Sequence, residues 1–98
     1  MAGEINKDEL TKKMSDNLVV LRTKLRLKQS ELAEKVGISR QALLEIEKGK
    51  RTLQWNVFVA LLSVFREDRG TNDLLSYYGI YTPELARYLV SPHSDGNE

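Results

Sequence analysis

QSELAEKVGISRQALLEIEKGK, running from Gln29 to Lys50, reads as two short helices joined by a tight turn. Leu32, Ala33 and Val36 place small or apolar side chains on one side of the first helix, and Leu43 and Ile46 do so on the second. Residues three and four apart share a helix face, so each set forms one inward stripe. Gly37 lies between them. Without a Cβ it takes positive φ at little cost, and it is the expected stop of the first helix. Ser39, after Ile38, can accept an orphan N–H and open the second. Ala33 is small where the second helix must cross close over the first. Two helices joined by a short glycine-containing turn describe a helix-turn-helix.

Outward from this stretch, Leu18 to Phe65 resembles the lambda-repressor-like, xenobiotic-response-element family of DNA-binding domains. The segments that carry the resemblance are LVVLR, QSELAEKVGIS, RQALLEIEKGKR and the apolar WNVFVALLSVF, in the family order over 48 of 98 residues. The resemblance implies an all-α fold: a lambda-repressor-like five-helix domain with a helix-turn-helix, plus a short N-terminal helix and an extra C-terminal helix. The expected division is an N-terminal helical extension over 1–17 and the DNA-binding domain over 18–66. A C-terminal helical extension follows over 67–90, then a disordered tail over 91–98.

Charge distribution agrees. The net charge is only +1, but residues 18–51 hold nine basic and four acidic groups, a net of +5. Residues 1–17 carry −1 and residues 52–98 carry −3. Positive charge is thus concentrated where a phosphate-binding face needs it. Ninety-eight residues make one small domain. The absence of cysteine excludes a disulfide framework and a thiolate metal site and suits a reducing compartment, so a cytoplasmic location is expected. The longest uncharged run, Thr52 to Phe65, is too short to span a bilayer. No signal-peptide core is evident near the N-terminus.

In the flanks, Asn6 and Glu9 have capping-box spacing ahead of a helix through Met14. Ser15 or Asp16 can cap a second helix reaching about Leu25. Leu10, Met14, Leu18, Leu21 and Leu25 also fit one continuous stripe, so one helix or two can span this region. Arg26 stands where the family usually has glycine, and Lys28 where a Ser, Thr or Asn cap is common. Beyond Thr52, Trp55, Phe58, Leu61, Leu62 and Phe65 form an amphipathic core helix. Trp55 can alternatively offer its indole N–H to a phosphate or anchor a partner. Arg66 to Gly70 reads as a charged loop, with Thr71 or Asn72 capping a helix through Tyr78 and Gly79 ending it. Thr82 before Pro83 starts a last helix.

Several site residues follow. The helix from Arg40 to about Lys48 turns Leu43 and Ile46 inward, leaving Arg40, Gln41, Leu44 and Glu45 to meet base edges in the major groove. Arg40 suits guanine, Gln41 adenine, Glu45 cytosine N4, and Leu44 a thymine methyl. Gln29, Ser39, Lys50 and Arg51 are the expected phosphate contacts, Gln29 by the resemblance. The resemblance also implies an ion pair between Arg22 and Glu47. Leu85, Tyr88 and Leu89 share a side of the last helix. They either pack within the chain or, as favoured here, meet a twofold-related copy.

Catalysis has little support, since the lone His93 lies in the tail and no metal-ligand or phosphate-loop spacing appears. No enzyme activity and no cofactor are expected. The expected partner is double-stranded DNA, bound by a homodimer acting as a transcriptional repressor. The alternative is a module for a protein partner, such as an antitoxin with autoregulatory DNA binding. A restriction-modification controller is a further variant of the regulator reading.

Overall fold

The computed structural model describes residues 5–92. Among them are seven helices and no strand, so the fold is all-α. Apart from Ser91 and Pro92, the tail expected over 91–98 lies outside the described residues, as does His93.

The helices α1 (Lys7–Asp16) and α2 (Leu18–Lys24) settle the open question before residue 25: there are two. Asn6 caps α1, its Oδ1 accepting from the Glu9 N–H at 3.0 Å. Neither Ser15 nor Asp16 caps α2, contrary to expectation. Both lie in the last turn of α1, and the break is the single residue Asn17, at φ −113 and ψ 10. Its side-chain amide donates to the Lys13 carbonyl at 2.8 Å. An asparagine that bonds its own backbone in this way competes with continued helix. The Leu21 N–H picks up the Asn17 carbonyl at 3.0 Å, so the stripe Leu10, Met14, Leu18, Leu21 stays buried across the break.

The turn after α2 is a Schellman turn with an arginine in the glycine position. The Arg26 N–H bonds to the Thr23 carbonyl and the Leu27 N–H to that of Arg22, with Arg26 at φ 59. A left-handed non-glycine residue costs about 1–2 kcal/mol. The Arg22 guanidinium offsets this by donating Nη1–H to the Leu27 carbonyl at 3.0 Å. Lys28 then precedes α3 (Gln29–Val36). Its ammonium has no lone pair to cap with, but the Glu31 carboxylate accepts its backbone N–H at 2.8 Å, half of a capping box.

Gly37, at φ 80, ends α3 and leads into α4 (Arg40–Glu47). Ala33 is 2% exposed where the two helices meet. After α4, Gly49 at φ 75 closes another Schellman turn, its N–H on the Ile46 carbonyl and that of Lys50 on Glu45. Leu53, 4% exposed, pins the following loop to the core.

The helix α5 (Trp55–Arg66) is the central post. Phe58, Leu61 and Phe65 are fully buried, and truncating either phenylalanine to alanine should cost about 3–5 kcal/mol. Trp55 packs rather than projects. It stacks on Phe58 at 4.7 Å and meets Tyr88 edge-on at 6.3 Å, with the Lys7 ammonium 4.9 Å from its ring centre.

The next helix, α6 (Arg69–Tyr77), begins earlier than its sequence suggests. Asp68 is the cap, accepting the Thr71 N–H at 3.0 Å, so Arg69 and Gly70 belong to the helix rather than to a loop. Thr71 is fully buried and does not cap; its hydroxyl donates to the Phe65 carbonyl at 2.6 Å and joins α5 to α6. Finally α7 (Pro83–Val90) is capped by Thr82. Leu85, expected at a dimer surface, is fully buried in the chain's own core and so is closed to a second copy. Tyr88 and Leu89 remain partly exposed, at 43% and 38%.

Candidate nucleic-acid interface

The helices α3 and α4 pack on each other, and α1 and α5 buttress them. Beneath the pair lies one ion cluster. Arg22 on α2 grips Glu47 on α4 side-on, with Nε–H to Oε2 at 2.6 Å and Nη2–H to Oε1 at 3.2 Å. Gln29, the first residue of α3, donates Nε2–H to Glu47 Oε1 at 3.0 Å. Three helices therefore converge on a carboxylate whose side chain is 4% exposed. A buried charge needs such full pairing to persist. Gln29 was expected at a phosphate. It is half-buried, and one N–H is spent on Glu47 while the other stays available.

Above the cluster, α4 turns its polar side outward. Ser39 is the cap; its Oγ accepts the Ala42 N–H at 3.0 Å and keeps its own proton free to donate. The Arg40 and Gln41 N–H groups lie in the first turn, where no intrahelical acceptor exists. Both side chains are exposed, whereas Leu44 and Glu45 are half-buried. Leu44 is thus less prominent than an isolated exposed leucine. Among the described residues, Arg40, Lys48 and Lys50 have no carboxylate within ion-pair distance. They are unneutralised cations at the two ends of α4.

Glu45 and Arg51 behave differently. Arg51 donates Nε–H at 2.8 Å and Nη2–H at 2.5 Å, both to Glu45 Oε1. Gln41, one turn back, donates Nε2–H to Glu45 Oε2 at 3.1 Å. Of these contacts, first that of Gln41 and then those of Arg51 hold the Glu45 carboxyl below the usual carboxylate value. The Schellman turn at Gly49 makes this possible by folding the chain back, bringing residue 51 level with residue 45. Spacing along a straight helix suggests Lys48 as the partner of Glu45 and does not show this contact.

The surface as a whole joins an outward polar helix face, the N-termini of α3 and α4 and flanking cations. It can offer donors to phosphates and directed side chains to base edges. A family model described as helix-turn-helix matches residues 20–69, just over half of the chain. No curated protein and no solved structure gives a significant match.

Proposed function

The chain belongs to the lambda-repressor-like helix-turn-helix family of DNA-binding regulators, and on that premise we propose that it is a sequence-specific transcriptional repressor. It acts by occupying a promoter, which requires no effector module. The observation that carries the reading is the outer face of α4. Arg40 and Gln41 stand exposed there while the far end of the same helix is fixed from beneath through Glu47. A helix held this firmly and presenting directed polar groups suits entry into the major groove. Arg40 would take guanine, Gln41 adenine, and Leu44 a thymine methyl. Gln29, Ser39 and Lys50 would position the duplex through its phosphates.

The active unit is a homodimer on a twofold operator. The second copy meets the side of α7 that bears Tyr88 and Leu89, without Leu85. Selection from random duplex DNA tests the reading. A twofold consensus with half-sites about 34–36 Å apart, altered at one position by Gln41→Ala, is the expected result. A wild-type pool that stays random, or an unchanged consensus with Gln41→Ala, overturns it.

A further inference from the structure

The contact between Glu45 and Arg51 does not fit the roles that position alone suggests, a cytosine reader and a free phosphate anchor. Resting on the DNA-binding reading above, we propose that Glu45 is a positioning residue that fixes Gln41 and Arg51 as one reading unit, in which Arg51 contacts a guanine.

Hydrogen-bond geometry supplies the first reason. Each Glu45 oxygen already accepts from its own chain: Oε1 from Arg51, Oε2 from Gln41. The Gln41 amide keeps one N–H and its carbonyl free, a donor and an acceptor side by side, as adenine N7 and N6 require. Arg51 engages Glu45 through Nε and Nη2. Its outer edge, both Nη1 protons and the second on Nη2, is left as a two-pronged donor. Guanine O6 and N7 present the matching pair of acceptors.

Electrostatics supplies the second. A carboxylate at 2.8 Å cancels much of the field of Arg51 and would itself repel a phosphate. That makes Arg51 a poor non-specific anchor. Guanine is a neutral acceptor and rewards direction rather than net charge. Lys50, the preceding residue, has no such partner among the described residues and keeps its full charge for the backbone. Neighbouring cations are thus divided between two tasks. Glu45 must be ionised for this, as a carboxyl with a pKa below 4.5 is at neutral pH.

The test is selection from random duplexes with the wild-type chain, Arg51→Lys, Arg51→Ala and Glu45→Ala, each followed by affinity measurements across a salt series. Arg51→Lys keeps the charge but loses the fork. It should abolish a guanine preference at one position per half-site, about tenfold or more, with the salt slope unchanged. Glu45→Ala should relax that position and the Gln41 position together, which a merely structural role would not do. An unchanged consensus with Arg51→Lys, with the slope falling by about 0.9 in Arg51→Ala, would make Arg51 a phosphate contact and overturn the inference alone. A Glu45→Ala chain that loses only a cytosine preference would also overturn it. No consensus from the wild type would remove the functional reading itself.

Discussion

Arg22 and Glu47 face each other side-on at 2.6 and 3.2 Å, with side chains only 13% and 4% exposed. Removing one member leaves a charge without its partner in a nearly dry site, which is costlier than the pair is worth. Arg22→Ala should therefore lower stability by about 3 kcal/mol, and Arg22→Met with Glu47→Leu by much less. Thermal melts monitored by circular dichroism measure both. A single variant that melts like the wild type would remove the cluster as a stabilising element.

The turn at Arg26 predicts a gain. Its φ of 59 is easy for glycine and strained for arginine. Relief of about 1–2 kcal/mol, less about 0.5–1 kcal/mol for the extra freedom of an unfolded glycine, leaves a modest net stabilisation. Arg26→Gly should raise the midpoint of urea unfolding without changing its slope. A lower midpoint would mean that the arginine side chain contributes something its backbone strain conceals.

Lys50 should act through charge alone. Lys50→Ala is expected to weaken binding equally for cognate and scrambled duplexes and to reduce the slope of log K against log salt by about 0.9. Fluorescence anisotropy over a salt series reads this directly. A loss confined to the cognate duplex would count against a backbone role.

The exposed side of α7 predicts the state of assembly. Leu89→Glu places a charge on a residue that is 38% exposed and outside the buried core, so the fold should survive. Sedimentation equilibrium should show a dimer for the wild-type chain and a monomer for the variant. A dimer that withstands the substitution places the twofold contact elsewhere.

Acid should release the Glu45 contacts. Hydrogen bonds from Gln41 and then from Arg51 lower its pKa from the ordinary 4.5. A group whose folded value lies below its unfolded one stabilises above the unfolded value and ceases to do so as pH falls through the folded value. At neutral pH the contacts are intact. The carboxyl carbon shift of Glu45 should titrate with a midpoint below 4.5, and Gln41→Ala should move it upward.

The parts legible in the sequence are those governed by local rules. Gly37, Ser39, Gly49 and Thr82 mark turns and caps through backbone chemistry alone, and α3 and α4 run close to where these marks place them. The start of α6 was less legible because Asp68, Thr71 and Asn72 can all cap. Asp68 takes the role since the Thr71 hydroxyl is needed by the Phe65 carbonyl, a contact made only once α5 is in place. Leu53 and Ile80 belong to no periodic stripe, yet both are buried, Leu53 from the loop before α5 and Ile80 from the turn at Gly79. Leu85 and Leu89 share a helix side in sequence, and only packing divides them between core and surface. At the interface, side-chain identities were readable but two of their mutual bonds were not. Gln29 on Glu47 and Arg51 on Glu45 both bridge turns whose geometry is tertiary.

The Lys7 ammonium lies 5.5 Å from the ring centre of Tyr88, so the start of the first described helix comes near the end of the last. A flexible linker from Ser91 back to Asn6 would leave both helices whole. Circular permutation, with new termini opened at Glu67 between α5 and α6, would then preserve every helix while reversing which of them leaves the ribosome first.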